Sequence, residues 1–237
     1  MLSEYSKLSR EAANANETFE QFLLRLTELE VQQRSANALT ARTKAAGFPV
    51  LKDLETYDFS TMPNLSKPKI LELARGEWID LKFNACFIGN AGTGKTHMAT
   101  ALGLAACRQH KHVRFFTAAA LVTTLEELQK QYRLDKFLKQ LDKAELLIID
   151  ELGYLSFSRS GAELLFQIFA DRYERRSTLI TSNLPFSDWG QIFQGERMTA
   201  ALLDRFTHRC HIFEMTGDSY RFRESTRQTK EKKPKPA

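Results

Sequence analysis

The chain has 237 residues, 43% hydrophobic and 27% charged, and its 34 Lys and Arg against 29 Asp and Glu give a formal net charge of +5. That length suits one sizeable α/β domain with a small appendage. No apolar run reaches the length of a membrane span, and no basic region with an apolar core opens the chain, so a cytoplasmic protein without membrane association is expected.

Residues 1–15 are polar and without period, which predicts partial disorder. Thr18 and Gln21 then form a capping-box pattern ahead of an apolar stripe at Phe19, Phe22, Leu23, Leu26 and Leu29. An amphipathic helix to about Arg42 is expected, turning basic at Arg34, Arg42 and Lys44. A region of 1–46 cannot hold a core alone, so its apolar face must pack on the main domain, a neighbouring subunit or a partner. Residues 47–69 contain Pro49, Pro63 and Pro68 and read as a linker, in which Tyr57 and Phe59 either anchor the segment or cover a nucleotide base. Residues 70–78 look helical and open the main domain, 70–220.

Within that domain, 83–88 reads as a short buried strand and 97–108 as a helix. Between them stands Gly89-Asn90-Ala91-Gly92-Thr93-Gly94-Lys95-Thr96, which matches G-x-x-x-x-G-K-[ST] in its strand-loop-helix context. Glycines let successive N–H groups converge on one anion, and the helix adds its positive dipole end. Lys95 supplies a point charge to the β and γ phosphates, and the Thr96 hydroxyl is placed to ligate Mg²⁺. ATP with Mg²⁺ is therefore the expected ligand, held by residues 89 to 96 with His97 at the loop's end.

Further along, 113–117 is a strand, 118–132 a helix, and 135–143 a second helix with Phe137, Leu138 and Leu141 on one side. Lys136, Lys139 and Lys143 lie on another side at spacings of three and four, after Lys130 and Arg133; such a row either follows a phosphate backbone or is simply solvated. The strand 145–150, with its apolar body Leu146-Leu147-Ile148-Ile149, delivers Asp150 and Glu151. A helix at 161–175, a strand at 177–182 ending at Asn183, a helix at 198–207 and a strand at 211–214 complete the domain. The tail 221–237 is basic, expected disordered and at most a non-specific DNA contact. His208, Cys210 and His211 read as a packed or solvated cluster rather than a metal site, and the isolated Cys86, Cys107 and Cys210 argue against disulfides or structural zinc.

Strands alternating with helices give a parallel sheet, here of five strands, whose ligands bind beyond the strand C-termini. The phosphate loop, Asp150, Glu151 and Asn183 all fall there. Asp150 would hold the metal with Thr96, and Glu151 would act as general base or position water for attack on the γ-phosphorus. Asn183 either hydrogen-bonds the γ-phosphate or the attacking water, or caps the turn before Pro185. Arg205 is solvated, paired with Asp204, or projects to a subunit boundary and stabilises charge in an adjacent site.

Gly89 to Thr96, the segment LLIIDE, Thr181 to Asn183 and the Arg205 helix resemble the Walker A, Walker B, sensor 1 and arginine-finger elements of AAA+ ATPases. More closely, LARGEWID, IDELGYLSFSR, LLFQIFADRYERRSTLITSNLPFSDW and MTAALLDRFTHRCHIFEM are similar to IstB, the helper ATPase of certain bacterial insertion sequences. The resemblance implies an AAA+ fold, Mg²⁺-dependent ATP hydrolysis, ATP-controlled self-assembly into a homo-oligomer on duplex DNA, and recruitment or stimulation of a cognate transposase. It also implies that residues 118–143 approach DNA; the sequence itself shows no base-reading motif, so binding governed by backbone charge and DNA shape is expected. After Glu214 the sequence leaves no room for the usual helical lid with its sensor 2 arginine, an absence IstB shares; Arg221 is a weak substitute. The alternatives are a DnaC-like replicative helicase loader, a P-loop kinase of a small molecule or nucleotide, and a nucleotide-gated adaptor with negligible turnover.

Overall fold

The structure is a computed structural model that describes residues 2–193, 195–217 and 219. At its centre, β1 (Asn84–Gly89), β2 (Val113–Thr117), β3 (Leu146–Leu152), β4 (Ser177–Ser182) and β5 (Cys210–Met215) form one parallel sheet in the order β2-β3-β4-β1-β5. Leu146, Leu147, Ile148 and Ile149 are all 0% exposed, because crossover helices cover both faces and an interior strand needs no polar side. The period of two divides the strand residues between two cores. Phe87, Phe115, Ile148, Leu179 and Phe213 face one layer, and Cys86, Leu147, Ile149 and Ile180 face the other.

The first layer holds α3 (Lys67–Ala74), α4 (Glu77–Asp80) and α5 (Lys95–Arg108), which bury Ile70, Leu73, Trp78, Met98 and Leu102. The expected single helix over 70–78 is broken in two by Gly76, whose φ of +78° ends one segment and caps the next. The second layer holds α6 (Ala118–Lys130), α7 (Leu134–Leu141), α8 (Arg159–Arg172), α9 (Gly190–Phe193) and α10 (Glu196–Thr207). Lys143 lies in the turn after α7, so only Lys136 and Lys139 of the expected lysine row are on the helix.

The N-terminal region departs from its sequence reading. Residues expected to be disordered form α1 (Leu2–Asn14), which folds back on α2 (Phe19–Ala46). Arg25 of α2 reaches Glu11 at 2.6 Å and Glu17 at 2.9 Å, and the Tyr5 and Phe22 rings meet edge-on at 6.1 Å. These partners are supplied across a turn, so no periodicity within 1–15 announces them. The capping box at Thr18 and Gln21 is present, and Gly47 ends α2 in the left-handed region. The end of α2 packs on the main domain, with Ala46 1% exposed and Arg42 Nε donating to the Cys107 carbonyl, whereas Phe19, Leu23 and Leu29 of the expected stripe remain exposed.

One buried cation ties the second layer to the sheet. Arg172, 4% exposed, donates to the carbonyls of Leu141, Ala144 and Ser177 and to Thr178 Oγ1. Burial works against its charge and lowers its pKa, while those acceptors compensate. Arg172→Met keeps the bulk and orphans the acceptors, so urea unfolding is expected to show a loss of roughly 2–4 kcal/mol. A loss below about 0.5 kcal/mol would mean that water replaces the guanidinium.

Candidate functional site

The loop from Gly89 to Gly94 leaves the C-terminal end of β1 and runs straight into α5, so its backbone N–H groups lie at a helix N-terminus. Gly92 and Gly94 have φ of +80° and +91°, and a Cβ at Gly94 would sit 3.0 Å from the Tyr57 ring. Thr93, 2% exposed, closes the loop on itself through a 2.9 Å bond from its hydroxyl to the Asn90 carbonyl. The Lys95 ammonium donates to the carbonyls of Gly89 and Asn90, each at 2.7 Å, which keeps the cation folded over the concavity that its loop encloses.

Asp150 lies at the end of β3 and is 2% exposed. Thr96 Oγ1 donates to its two oxygens at 2.9 and 3.1 Å, and Thr181 Oγ1 donates at 2.5 Å. Burial pushes the Asp150 carboxyl above the usual carboxylate range; the two hydroxyls and Lys95 pull the other way, and neighbouring Glu151 adds to the rise. A carboxylate and a hydroxyl this close form a hard-oxygen pair of the kind Mg²⁺ takes, so Thr96 and Asp150 fit as two of its ligands.

The pairing of β3 with β4 slips between them. Ile149 faces Ile180 and Leu152 faces Ser182, so Asp150 and Glu151 together oppose Thr181 alone. Glu151 takes the extra position with φ +60° and donates its N–H to Thr181 Oγ1 at 2.9 Å. The bulge returns Leu152 to the second core and leaves the Glu151 side chain exposed beside a buried Asp150. Thr181 therefore sets both acids; sequence reasoning gave it no role of its own, although its place one residue before the end of β4 was available as a signal. Asn183 follows β4, and its Oδ1 is buried with no hydrogen-bond partner among the described residues. An orphaned acceptor of that kind costs about 1–3 kcal/mol until a donor arrives, and is best understood as facing a polar ligand or water.

The expected linker is fixed along this loop. Its two single turns, Leu54–Thr56 and Phe59–Thr61, sit over the start of α5, with Met62 and Leu65 buried below. His97 Nε2 lies 3.0 Å from the Asp53 carbonyl and 3.3 Å from Thr56 Oγ1, so its ring is engaged with this strap. Arg108 binds the Asp53 carboxylate at 2.5 Å and holds it below the usual carboxylate range. Tyr57 donates to the Thr93 carbonyl at 3.4 Å, packs on Phe59 and His97, and is pushed up to about 12 by burial.

Other expected residues lie elsewhere. Arg205 is exposed on α10 over the Phe166 ring at 5.8 Å, and lines a small recess with Asn84 and Thr178 at the N-terminal ends of β1 and β4. The six residues of β1 place that recess about 17 Å from the phosphate loop, beyond the reach of an arginine side chain. Lys130, Arg133, Lys136, Lys139 and Lys143 are all exposed along α6, α7 and the turns after them. His208 contacts Tyr173 and Glu174, while His211 lies against Phe83, so the two imidazoles serve different neighbours. Arg221 and the basic tail lie outside the described residues.

Because burial raises the pKa of Asp150, the folded chain binds this proton more tightly than the unfolded one, and the ionised form destabilises the fold at neutral pH. Asp150→Asn is expected to raise the unfolding midpoint of the nucleotide-free protein at pH 7. The advantage should vanish as pH falls below the unfolded carboxyl's range, where both forms are neutral. Calorimetry across that range checks it, and a midpoint lowered at pH 7 would show that the hydroxyl bonds outweigh the burial.

The family model described as IstB-like ATP binding protein matches residues 1–228. The chain is 36% identical over 233 residues to the ATP-binding protein named for insertion sequence IS5376 in Geobacillus stearothermophilus, covering 98% of this chain and 93% of that one. It is 35% identical over 217 residues to the protein named for IS21 in Pseudomonas aeruginosa, covering 92% and 82%. Among solved structures, AMPPCP-bound DnaA from Aquifex aeolicus superposes with a TM-score of 0.58 at 21% identity, over 78% of this chain and only 56% of that DnaA chain. The DnaC helicase loader superposes with a TM-score of 0.52 at 25% identity, over 70% of this chain and 96% of that one. The sheet order, the phosphate loop and these likenesses are those of a P-loop AAA+ domain, and the chain belongs to the IstB-like ATP-binding protein family of insertion sequences.

Proposed function

We propose that this chain is a Mg²⁺-dependent ATPase that assembles on duplex DNA when it holds ATP and recruits or stimulates the transposase of its insertion sequence. The observation that carries the nucleotide chemistry is the convergence of Thr96 and Thr181 on a buried Asp150 at the mouth of the phosphate loop. Family membership supports the setting: the relatives are named as ATP-binding proteins of insertion sequences, and one solved DnaA neighbour is described as bound to AMPPCP and single-stranded DNA. A DnaC-like loader shares the site and differs in partner; the insertion-sequence relatives favour the transposase.

The phosphates of ATP would take over the ammonium of Lys95 from the Gly89 and Asn90 carbonyls and accept the loop N–H groups. Mg²⁺ at Thr96 and Asp150 would neutralise charge on the phosphate oxygens. Glu151, turned outward by the bulge, is free to accept a proton from water as that water's oxygen attacks the γ-phosphorus and the bond to ADP breaks. Asn183 supplies an acceptor for the same water. The charge that Arg205 would stabilise cannot belong to its own subunit, since the recess at Arg205 opens at the opposite end of the strands. In this reading a neighbouring copy brings it, and hydrolysis depends on assembly.

Light scattering with duplex DNA tests the central reading. A large complex is expected with ATP and not with ADP, and Lys95→Ala should stay small while losing nucleotide affinity. Adding transposase or replicative helicase then identifies the partner. A monomer under every condition would overturn the assembly reading.

Arg205→Ala is expected to bind ATP normally yet lose hydrolysis in the assembled state, on the order of a thousandfold for a residue of this type. Mixing it with Glu151→Gln, which keeps Arg205, holds ATP and assembles but cannot hydrolyse it, should restore part of the activity. Steady-state phosphate release reads both, and failure of the mixture to recover would remove Arg205 from the neighbour's site.

A further inference from the structure

The helices α6 and α7 form a hairpin whose tip, Gln131 to Arg133, is held by backbone bonds. Gln131 N–H donates to Glu127 O at 3.1 Å, Tyr132 N–H to Gln129 O at 3.1 Å and Arg133 N–H to Leu128 O at 2.9 Å. Tyr132 occupies the left-handed position of that turn with φ +56°, where glycine is the usual residue. Its ring is 98% exposed, more than any other large hydrophobic side chain among the described residues. Neither the turn nor the core uses the ring.

Its surroundings are cationic. Lys130 and Arg133 flank it, and Lys136 and Lys139 continue along α7, with Asp135 the one acid between Leu128 and Leu141. Glu127 stands one turn back on α6, and Glu126 is engaged by Ser158 at the start of α8. The contacts of Glu126 with Ser158 and of Gln129 with Ser160 also place the hairpin's far end beside the loop that follows Glu151, on the nucleotide side of the sheet. An aromatic ring set among cations matches a polyanion that carries π-faces, because the cations track phosphates and the ring accepts a base. A protein partner would need an acidic face to use the row of lysines, whereas a nucleic acid carries phosphate and base face together at every nucleotide.

We infer that the Tyr132 ring is a stacking contact for a nucleobase of DNA, presented at the tip of the α6–α7 hairpin. The inference rests on the DNA-assembly reading and adds to it a contact that is not with the phosphates. The base face comes either from a duplex step opened by bending or from a separated strand.

Two variants of the full chain test it in the presence of ATP. Tyr132→Gly removes the ring while suiting the left-handed turn, so its unfolding midpoint should match or exceed that of the parent. Its DNA affinity should fall about tenfold with the salt slope unchanged, since no phosphate contact is lost. Tyr132→Trp should keep the affinity. Because Trp78 and Trp189 are 5% and 0% exposed, the added indole emission can be read separately, and DNA should quench it. Quenching by duplex would place the base at a kinked step, and quenching by single strand alone would place it in an opened strand. Parental DNA affinity in Tyr132→Gly together with an unquenched Tyr132→Trp overturns the stacking contact and leaves the DNA reading standing. If the unsubstituted chain binds no DNA, both fall. Normal DNA binding by Tyr132→Gly with a lost response to transposase would assign the ring to a protein surface and overturn the inference.

Discussion

The buried carboxylate of Asp150 is the constraint around which the rest of the site is arranged. An ionised carboxyl that is 2% exposed is unfavourable unless hydrogen-bonded, and the chain supplies two hydroxyls from different elements, Thr96 of α5 and Thr181 of β4. Those bonds fasten the phosphate loop's helix to the two central strands it must face. They do not remove the cost of burial, so the free site retains a demand for positive charge. Lys95 answers that demand in part, at the distance its loop carbonyls impose.

Thr181 then links Asp150, the proposed metal ligand, to Glu151, the proposed general base. One hydroxyl donates to Asp150 and accepts from the Glu151 N–H, and the bulge it fills is what allows adjacent residues to face such different environments. In a regular strand, Glu151 would point into the second core beside Ile149 and Leu152 would leave it. The extra residue keeps the apolar side chain inside and the acid outside. The left-handed conformation of Glu151 is the strain that accompanies this arrangement.

Much of this was legible in the sequence because the signals are local. The phosphate loop, the apolar body of β3 and the acids at its end are contiguous, and the boundaries of β2 and β4 agree with their apolar patterns to the residue. What was not legible depends on pairings between distant segments. Helix α1 owes its place to Arg25 and Phe22 across a turn, the bulge depends on how β3 registers with β4, and the strap of 53–59 is positioned by His97 and Arg108 of α5. The helix expected over 70–78 divides for a local reason, since Gly76 carries a break that periodicity alone overlooks.

The sheet itself separates the parts of the chemistry. Phosphate loop, acids and Asn183 lie at one end of the strands and Arg205 at the other, so a parallel sheet of ordinary strand length keeps a subunit's Arg205 from its own phosphate loop, as the proposed action in a neighbouring site requires. The same geometry lets a neighbour complete it if copies stack with the C-terminal end of one sheet against the α10 edge of the next. The strap gives such stacking a route to the N-terminal helices. Tyr57 donates to the Thr93 carbonyl and fills the space a Cβ at Gly94 would need, Asp53 is held by Arg108, and Gly47, only a few residues earlier, ends α2. A phosphate that displaced Lys95 and tightened the loop would press on Tyr57, and through a chain segment this short the direction of α2, with its exposed Phe19, Leu23 and Leu29, would follow.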